Sequence, residues 1–194
     1  MRICRSKLPS MTLVRCGRAL LALLVLVGNA SAAAESPIRS IDVAYDGETY
    51  VVNAVMHAPV APAVAWEVLT DFDHVAQWVP NVAESKVLKR EDTSVTVQQR
   101  GVARVGAVSF PYVTERRIEL KPPTDIRTVQ LKGSLRRVES SIVLEPDGKG
   151  TRIRYRLEIV PSVLARTVMS ERFLEHEVDE QFSAIVGEMV RRAP

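Results

Sequence analysis

The sequence predicts an α+β domain in which a run of antiparallel strands is followed by one long helix. Residues 82–160 alternate between apolar and polar side chains, and turn signals interrupt them at three places, as in consecutive strands joined by hairpins. Residues 162–192 instead repeat apolar side chains at helical spacing. A shorter alternating segment and two short helical segments precede them, between residues 50 and 78.

The first elements are a strand and two short helices. Residues 50–57 alternate and end before Ala-Pro, and a proline then opens a helical pattern over residues 62–70. Residues 70–73, Thr-Asp-Phe-Asp, place a hydroxyl three residues before a carboxylate, which predicts a capping box for a second short helix. This prediction assigns Asp71 and Asp73 to helix capping rather than to acid–base chemistry.

The later elements are hairpin strands and the long helix. The turn signals lie at residues 91–94, 122–125 and 146–150. The clearest strand spans residues 151–159, where apolar and mostly basic side chains alternate, so one face is expected in the core and the other in solvent. A helix over residues 162–192 would be about 45 Å long at roughly 1.5 Å per residue, enough to cross a whole sheet.

The N-terminus has the composition of a secretory signal. Five basic and no acidic residues precede an apolar run at residues 19–27, and small residues follow. The run is far shorter than the roughly 20 residues of a membrane-spanning helix. We therefore expect cleavage after Ala34, a leader at residues 35–49 and one domain at residues 50–194. Translation could also begin at Met11, which would give a shorter basic region.

The charge of the expected mature chain does not favour nucleic-acid binding. The whole chain carries 26 basic and 23 acidic residues, but five of the basic residues lie in the signal. The remaining 160 residues have a formal net charge of −2. Both cysteines, Cys4 and Cys16, also lie in the signal, so no disulfide or cysteine metal site is expected after export.

The sequence contains no recognisable catalytic, metal or cofactor motif. The three histidines, His57, His74 and His176, do not stand at metal-ligand spacing. No Gly-x-Ser-x-Gly and no phosphate-binding glycine loop is present. We expect no catalytic residue set, no metal and no cofactor, so an enzymatic activity could be argued only from family analogy.

Three segments give the chain a recognisable family likeness. They are Ala-Pro at residues 58–59, Val-Ala-Trp-Glu-Val-Leu-Thr-Asp-Phe at residues 64–72 and Trp-Val-Pro-Asn-Val at residues 78–82. With the order of elements, they resemble the START-like helix-grip (SRPBCC) superfamily, in its polyketide cyclase/dehydrase and lipid-transport branch. The resemblance covers residues 50–192. It implies a strongly curved antiparallel sheet wrapped around the C-terminal helix, with a cavity between them.

The resemblance also implies a function for that cavity. Members bind lipids, quinones, sterols or polyketides, so the expected protein is an exported carrier or binding protein for a hydrophobic or amphipathic small molecule. It would be periplasmic in a Gram-negative bacterium and secreted otherwise. The candidate cavity residues are Phe110, Tyr112, Arg116, Ile118, Val138, Ile142, Ile153, Tyr155, Phe173 and Phe182, with Trp78 at the rim.

Two other functions stay open from the sequence. One is a cyclase or dehydratase that acts on the bound molecule through Tyr112, Arg116 and Glu115. The other is an assembly or stress factor whose core is filled and holds no ligand. A carrier would release its ligand unchanged, an enzyme would convert it, and a filled core would yield none.

Arg116 stands out because strand parity directs it inward. The even positions of residues 108–120 are mostly apolar, and Arg116 shares their face. A buried guanidinium cannot lose its charge and needs a partner. Three hypotheses follow: an ion pair with a buried carboxylate, a bulge near Pro111 that turns Arg116 to solvent, or an anchor for a polar group of the ligand, with Tyr112 as a second donor.

The basic strands have two interpretations. Residues 116–156 carry 11 basic and 5 acidic side chains. Their arginines would either form a solvated convex surface that keeps sheet edges from pairing or dock weakly on an anionic membrane.

Overall fold

A computed structural model describes residues 36–194, and the predicted signal at residues 1–34 lies outside them. The described chain forms eight strands and two α-helices, with 3-10 turns at Val75–Gln77 and Ala165–Thr167. The strands are β1 (Ile38–Tyr45), β2 (Tyr50–Ala58), β3 (Val82–Arg90), β4 (Ser94–Val105), β5 (Val108–Lys121), β6 (Asp125–Gly133), β7 (Arg137–Asp147) and β8 (Gly150–Val160). The helices are α1 (Pro62–Thr70) and α2 (Glu171–Arg192).

The strands form one curved, unclosed antiparallel sheet in the order β1-β2-β8-β7-β6-β5-β4-β3. Sequence neighbours pair through hairpins, and the exception is the β2–β8 pairing, which brings the two ends of the domain together. Helix α2 packs against β1, β2 and β4, and α1 packs against α2, β7 and β8. The predicted fold, a curved sheet around a long C-terminal helix, is confirmed.

The folded region begins earlier than the sequence analysis places it. The expected leader at residues 35–49 contains β1, which pairs with β2 along its length. The register shifts between Ile38 and Ser40, which interrupts the alternation by which a strand is recognised. Tyr45 stacks on Tyr50 across the hairpin, with ring centroids 4.2 Å apart.

The predicted capping box at residues 70–73 is wrong. Thr70 is the last residue of α1, and its hydroxyl donates to the Trp66 carbonyl at 2.8 Å within that helix. The following 3-10 turn has no side-chain cap. Asp71 instead pairs with Arg192 at the end of α2, at 2.7 Å, and Asp73 accepts a hydrogen bond from the Val87 amide in β3, at 3.0 Å.

Helix α2 is shorter than predicted. It begins at Glu171 because the Ser170 hydroxyl accepts a hydrogen bond from the Phe173 amide at 3.1 Å, a helix N-cap. Its 22 residues correspond to about 33 Å. None of the helices within residues 36–194 is long and apolar enough to span a bilayer. The buried side chains of α2 include Phe173, Leu174, Val178, Phe182, Val186 and Met189.

Candidate functional site

A cavity of about 280 Å³ lies between the concave face of the sheet and α2. Strands β4 to β8, helix α2 and the segment after α1 supply its wall, which is mostly apolar. Ten of the predicted cavity and rim residues line it: Trp78, Phe110, Tyr112, Arg116, Ile118, Val138, Ile142, Tyr155, Phe173 and Phe182.

Ile153 does not line the cavity, so that assignment is wrong. The side chain is fully buried in the main core, in the same cluster as Val68 of α1, and pairs across the sheet with Met56. Strand parity correctly placed Ile153 on the concave face. Strand parity does not show which part of that face is covered by a helix. Helix α1 packs on β8, the strand that carries Ile153.

A polar belt crosses the cavity wall on five neighbouring strands. The belt consists of side chains that point inward at positions where the strands otherwise carry apolar residues. Its members are Gln99 on β4, Thr114 and Arg116 on β5, Thr128 and Gln130 on β6, Ser140 on β7 and Tyr155 on β8. Sequence reasoning found only Arg116 and Tyr155, although polar residues at inward parity positions are a signal that would have found the rest.

Arg116 has no carboxylate partner within the described residues. Its Nη2 donates to Gln99 Oε1, and its buried Nε has no hydrogen-bond partner. Gln99 is held in turn, because its Nε2 donates to the Ser85 hydroxyl at 3.0 Å. Burial lowers the pKa of Arg116, while Tyr155 and Tyr112 act in the opposite direction. A guanidinium nevertheless remains charged at any physiological pH.

Two of the three hypotheses for Arg116 are therefore wrong. The ion pair with an acidic residue near the cavity fails within the described residues, because Glu177 on the wall accepts hydrogen bonds from Asn81 and the Arg104 amide instead, and Glu115 pairs with Lys132 at 3.5 Å. The outward turn fails because the β4–β5 register is continuous past Pro111. The irregularity in β5 instead lies between Glu115 and Arg116, in the pairing with β6, and Arg116 faces the cavity.

The two cavity tyrosines act as neutral hydroxyl groups. Burial raises the pKa of Tyr112 to about 12, with Arg116 opposing and Glu177 adding to the effect. Burial likewise raises the pKa of Tyr155 to about 12, against Arg116 and a hydrogen bond with Ser140. The Tyr112 hydroxyl donates to the Asn81 carbonyl at 3.1 Å. The Tyr155 ring packs on Phe182 of α2, with centroids 4.8 Å apart.

Glu177 is the one acidic side chain on the cavity wall described here. It is 5% exposed and accepts hydrogen bonds from Asn81 Nδ2, at 2.5 Å, and from the Arg104 amide, at 2.9 Å. Burial raises the pKa of Glu177, and both hydrogen bonds oppose that shift. The carboxyl group thereby links α2 to Asn81, just before β3, and to Arg104, near the end of β4.

Gly101 permits the close packing beside Glu177. A Cβ atom at this position would collide with the Asn81 carbonyl oxygen and the Tyr112 hydroxyl. The Val102 amide donates to the same Asn81 carbonyl at 3.1 Å. Only glycine permits the Asn81 carbonyl to approach β4 so closely. Nearby, the buried indole nitrogen of Trp78 has no hydrogen-bond partner within the described residues.

No group of three or more His, Cys, Asp or Glu side chains within residues 36–194 is arranged to hold a metal ion. The cavity therefore presents hydroxyls, amides, one guanidinium and one carboxyl group within an apolar wall.

A family model described as polyketide cyclase / dehydrase and lipid transport matches residues 49–190. The chain belongs to this family. No curated protein sequence matches the chain. The family resemblance inferred from the sequence is confirmed.

Solved structures with this fold come from several bacteria. TTHA0849 from Thermus thermophilus is 16% identical, with a TM-score of 0.65 over 74% of this chain and 99% of that one. The Zhui aromatase/cyclase from Streptomyces sp. R1128 is 17% identical, with a TM-score of 0.63 over 74% and 95%. A STAR-related lipid transfer protein from Xanthomonas axonopodis is 17% identical, with a TM-score of 0.59 over 77% and 98%. At these identities the likeness shows the fold alone.

Proposed function

We propose that this protein is an exported carrier or binding protein that holds one hydrophobic or amphipathic small molecule, such as a lipid, quinone or polyketide-like compound, between the sheet and α2. The observation that carries the proposal is the cavity of about 280 Å³, whose apolar wall is crossed by a few convergent polar groups. That combination is typical of small-molecule sites. The family description and the Xanthomonas axonopodis protein named for lipid transfer support it.

A cyclase or dehydratase is the second candidate, because one similar structure is named an aromatase/cyclase. The group expected to assist Tyr112 and Arg116 must then change. Glu115 lies outside the cavity, whereas the carboxyl group of Glu177 lines it. A carboxyl group whose pKa is raised by burial can serve in proton transfer. Conversion of the bound molecule during incubation with the purified protein would favour this candidate.

The carrier proposal is tested by native mass spectrometry of the purified mature protein, followed by organic extraction. We expect a complex one small molecule heavier than the chain, and extraction should return that molecule unchanged. Ile142→Trp, which projects into the cavity, should abolish the added mass. Val143→Trp, on the opposite face of the same strand, is the matched control and should retain it. A wild-type protein with no added mass and no extractable ligand would favour a filled core.

Export rests on the signal-like N-terminus, which supports a periplasmic location in a Gram-negative source and a secreted one otherwise. N-terminal sequencing of the protein from the exported fraction should give a chain that begins at Glu35. Recovery of the whole chain from the cytoplasmic fraction alone would contradict export.

Contact with an anionic membrane is expected to be weak. Arg152 pairs with Asp147 at 3.0 Å, Arg154 pairs with Glu145, and Arg156 pairs with Glu158 at 2.7 Å. Since these pairs neutralise much of the basic face locally, little attraction should survive at physiological salt, where screening acts over roughly 8 Å. Co-sedimentation with anionic and neutral vesicles at low salt should show a small excess on anionic ones, lost when the three arginines become serine. Equal binding to both vesicles would remove the membrane partner.

A further inference from the structure

Arg116 offers more hydrogen-bond donors than the protein uses. A guanidinium has five N–H groups, and the hydrogen bond assigned to it within residues 36–194 runs from Nη2 to Gln99. Its Nε is buried and has no partner, and no carboxylate lies within ion-pair distance in this part of the chain. Burying a cation without a counter-charge costs free energy. Such a cation is therefore expected where a bound molecule supplies the negative charge.

The other available polar atoms around the cavity favour the same kind of ligand. The buried indole N–H of Trp78 is also a donor without a partner among the described residues. Glu177 is the acidic group on the wall, and its two oxygens already accept hydrogen bonds from Asn81 and Arg104. A cationic ligand would therefore meet a guanidinium and no free carboxylate, whereas a ligand with acceptor oxygens would meet free donors.

The surroundings of Arg116 indicate a ligand that carries a single negative charge and is otherwise apolar. Arg116 is the one cationic side chain on the wall described here. Apolar side chains lie beyond the polar belt on both sides, with Ile118 and Ile126 on one side and Phe110 and Val138 on the other. One planar guanidinium matches one carboxylate, with two parallel hydrogen bonds.

Resting on the proposed carrier function, we infer that the ligand is an amphipathic carboxylic acid, whose carboxylate is bound by Arg116 and whose apolar part lies along the cavity wall. The polar belt positions Arg116 through Gln99, and the belt hydroxyls complete the solvation of the head group. The same carrier without this anchor would bind by apolar contact alone and would not distinguish an acid from an alcohol.

The test compares three probes of equal chain length and different head group: decanoic acid, 1-decanol and decylamine. Each displaces the neutral fluorophore N-phenyl-1-naphthylamine from the purified protein at neutral pH. We expect decanoate to bind at least tenfold more tightly than the alcohol, and the amine to bind most weakly. Hydrogen bonds to charged groups are strong enough for about a tenfold to hundredfold difference.

Variants assign that preference to Arg116. Arg116→Met should weaken decanoate binding by about tenfold to a hundredfold and change 1-decanol binding by less than about threefold. Arg116→Lys should keep part of the preference, since it keeps the charge without the planar pair of donors. Arg117→Met is the matched control, because Arg117 lies on the opposite face of the same strand. It should bind all three probes as the wild type does.

The outcomes separate this inference from the carrier proposal. Equal wild-type affinity for decanoate and 1-decanol, or unchanged decanoate binding by folded Arg116→Met, would overturn the acidic ligand and leave the carrier standing. Failure of the wild type to bind the fluorophore or any probe would remove the carrier and the inference together. If Arg116→Met does not fold, the head-group series on the wild type decides alone.

Discussion

The concave face of the sheet has two halves that share one strand pattern and carry different side chains. On the packed half, strands β2 and β8 bury Val52, Met56 and Ile153 completely. On the cavity half, strands β4 to β7 place every member of the polar belt except Tyr155, including Gln99 and Arg116, at equivalent inward positions. Apolar and polar residues alternate in the same way in both halves. The alternation therefore determines which side chains point to the concave face, and the helices that cover this face determine whether those side chains pack or line a cavity.

The packed half is where folding energy is concentrated. Helices α1 and α2 both lie over it, so its side chains leave water and contact other apolar atoms on every side. The cavity half is covered less closely, and its wall retains space and, among residues 36–194, donors without partners. Stability is therefore expected to depend on the first half and ligand choice on the second.

Removal of α2 should have the largest effect, because it uncovers both halves at once. A chain ending at Pro161 lacks the helix that buries Phe173 and Phe182, each of which is worth about 3–5 kcal/mol on truncation to alanine. We expect no cooperative thermal transition by circular dichroism. A chain ending at Arg192, the last residue of α2, should melt as the whole domain does. Cooperative melting of the shorter chain at the same temperature would refute the fold.

Replacing one isoleucine in each half by alanine compares how tightly the two halves are packed. Ile153 is fully buried on the packed half, and Ile142, on the neighbouring strand, lines the cavity. Ile153→Ala should lower the free energy of unfolding by about 2–5 kcal/mol. Ile142→Ala should lower it by only about 1–2 kcal/mol, since fewer packed atoms are lost beside an existing space. Urea unfolding of the ligand-free proteins measures both, and equal losses would mean that the two halves are packed alike.

The sequence predicted the run of antiparallel strands, α1 and the C-terminal helix because these follow from periodicity, and ten of its candidate residues line the cavity. Ile153 could not be excluded from the wall, since its covering by α1 is a tertiary contact. β1 was missed because its bulge breaks the alternation. Thr70 matched the capping pattern, but its hydroxyl instead donates a hydrogen bond to the Trp66 carbonyl in the preceding turn of α1. The hydrogen bond of Arg116 to Gln99 needed the register of β4 against β5, which no local pattern fixes.

Glu177 lies on the cavity wall beside β4, and its replacement should have the smallest effect, which should depend on pH. Burial raises its pKa above the ordinary value of 4.5, helped by Glu180 and opposed by the hydrogen bonds from Asn81 and Arg104 and by His176. The folded state therefore holds the proton more tightly than the unfolded state. Its contribution to stability is complete below pH 4.5 and is lost as the pH rises through the raised value.

Urea unfolding at pH 5.0 and pH 7.5 measures this contribution as the difference between wild type and Glu177→Gln. The wild type should lose stability between the two values, and Glu177→Gln should lose less, because an amide does not titrate. Glu175→Gln, at an exposed position on the same helix, should keep the wild-type change. Asp71 does not interfere: although burial opposes the shift, hydrogen bonds from His74 and Arg192 lower its pKa, so it titrates below this range. If Glu177→Gln lost as much stability as the wild type, the buried carboxyl group would be ionised throughout.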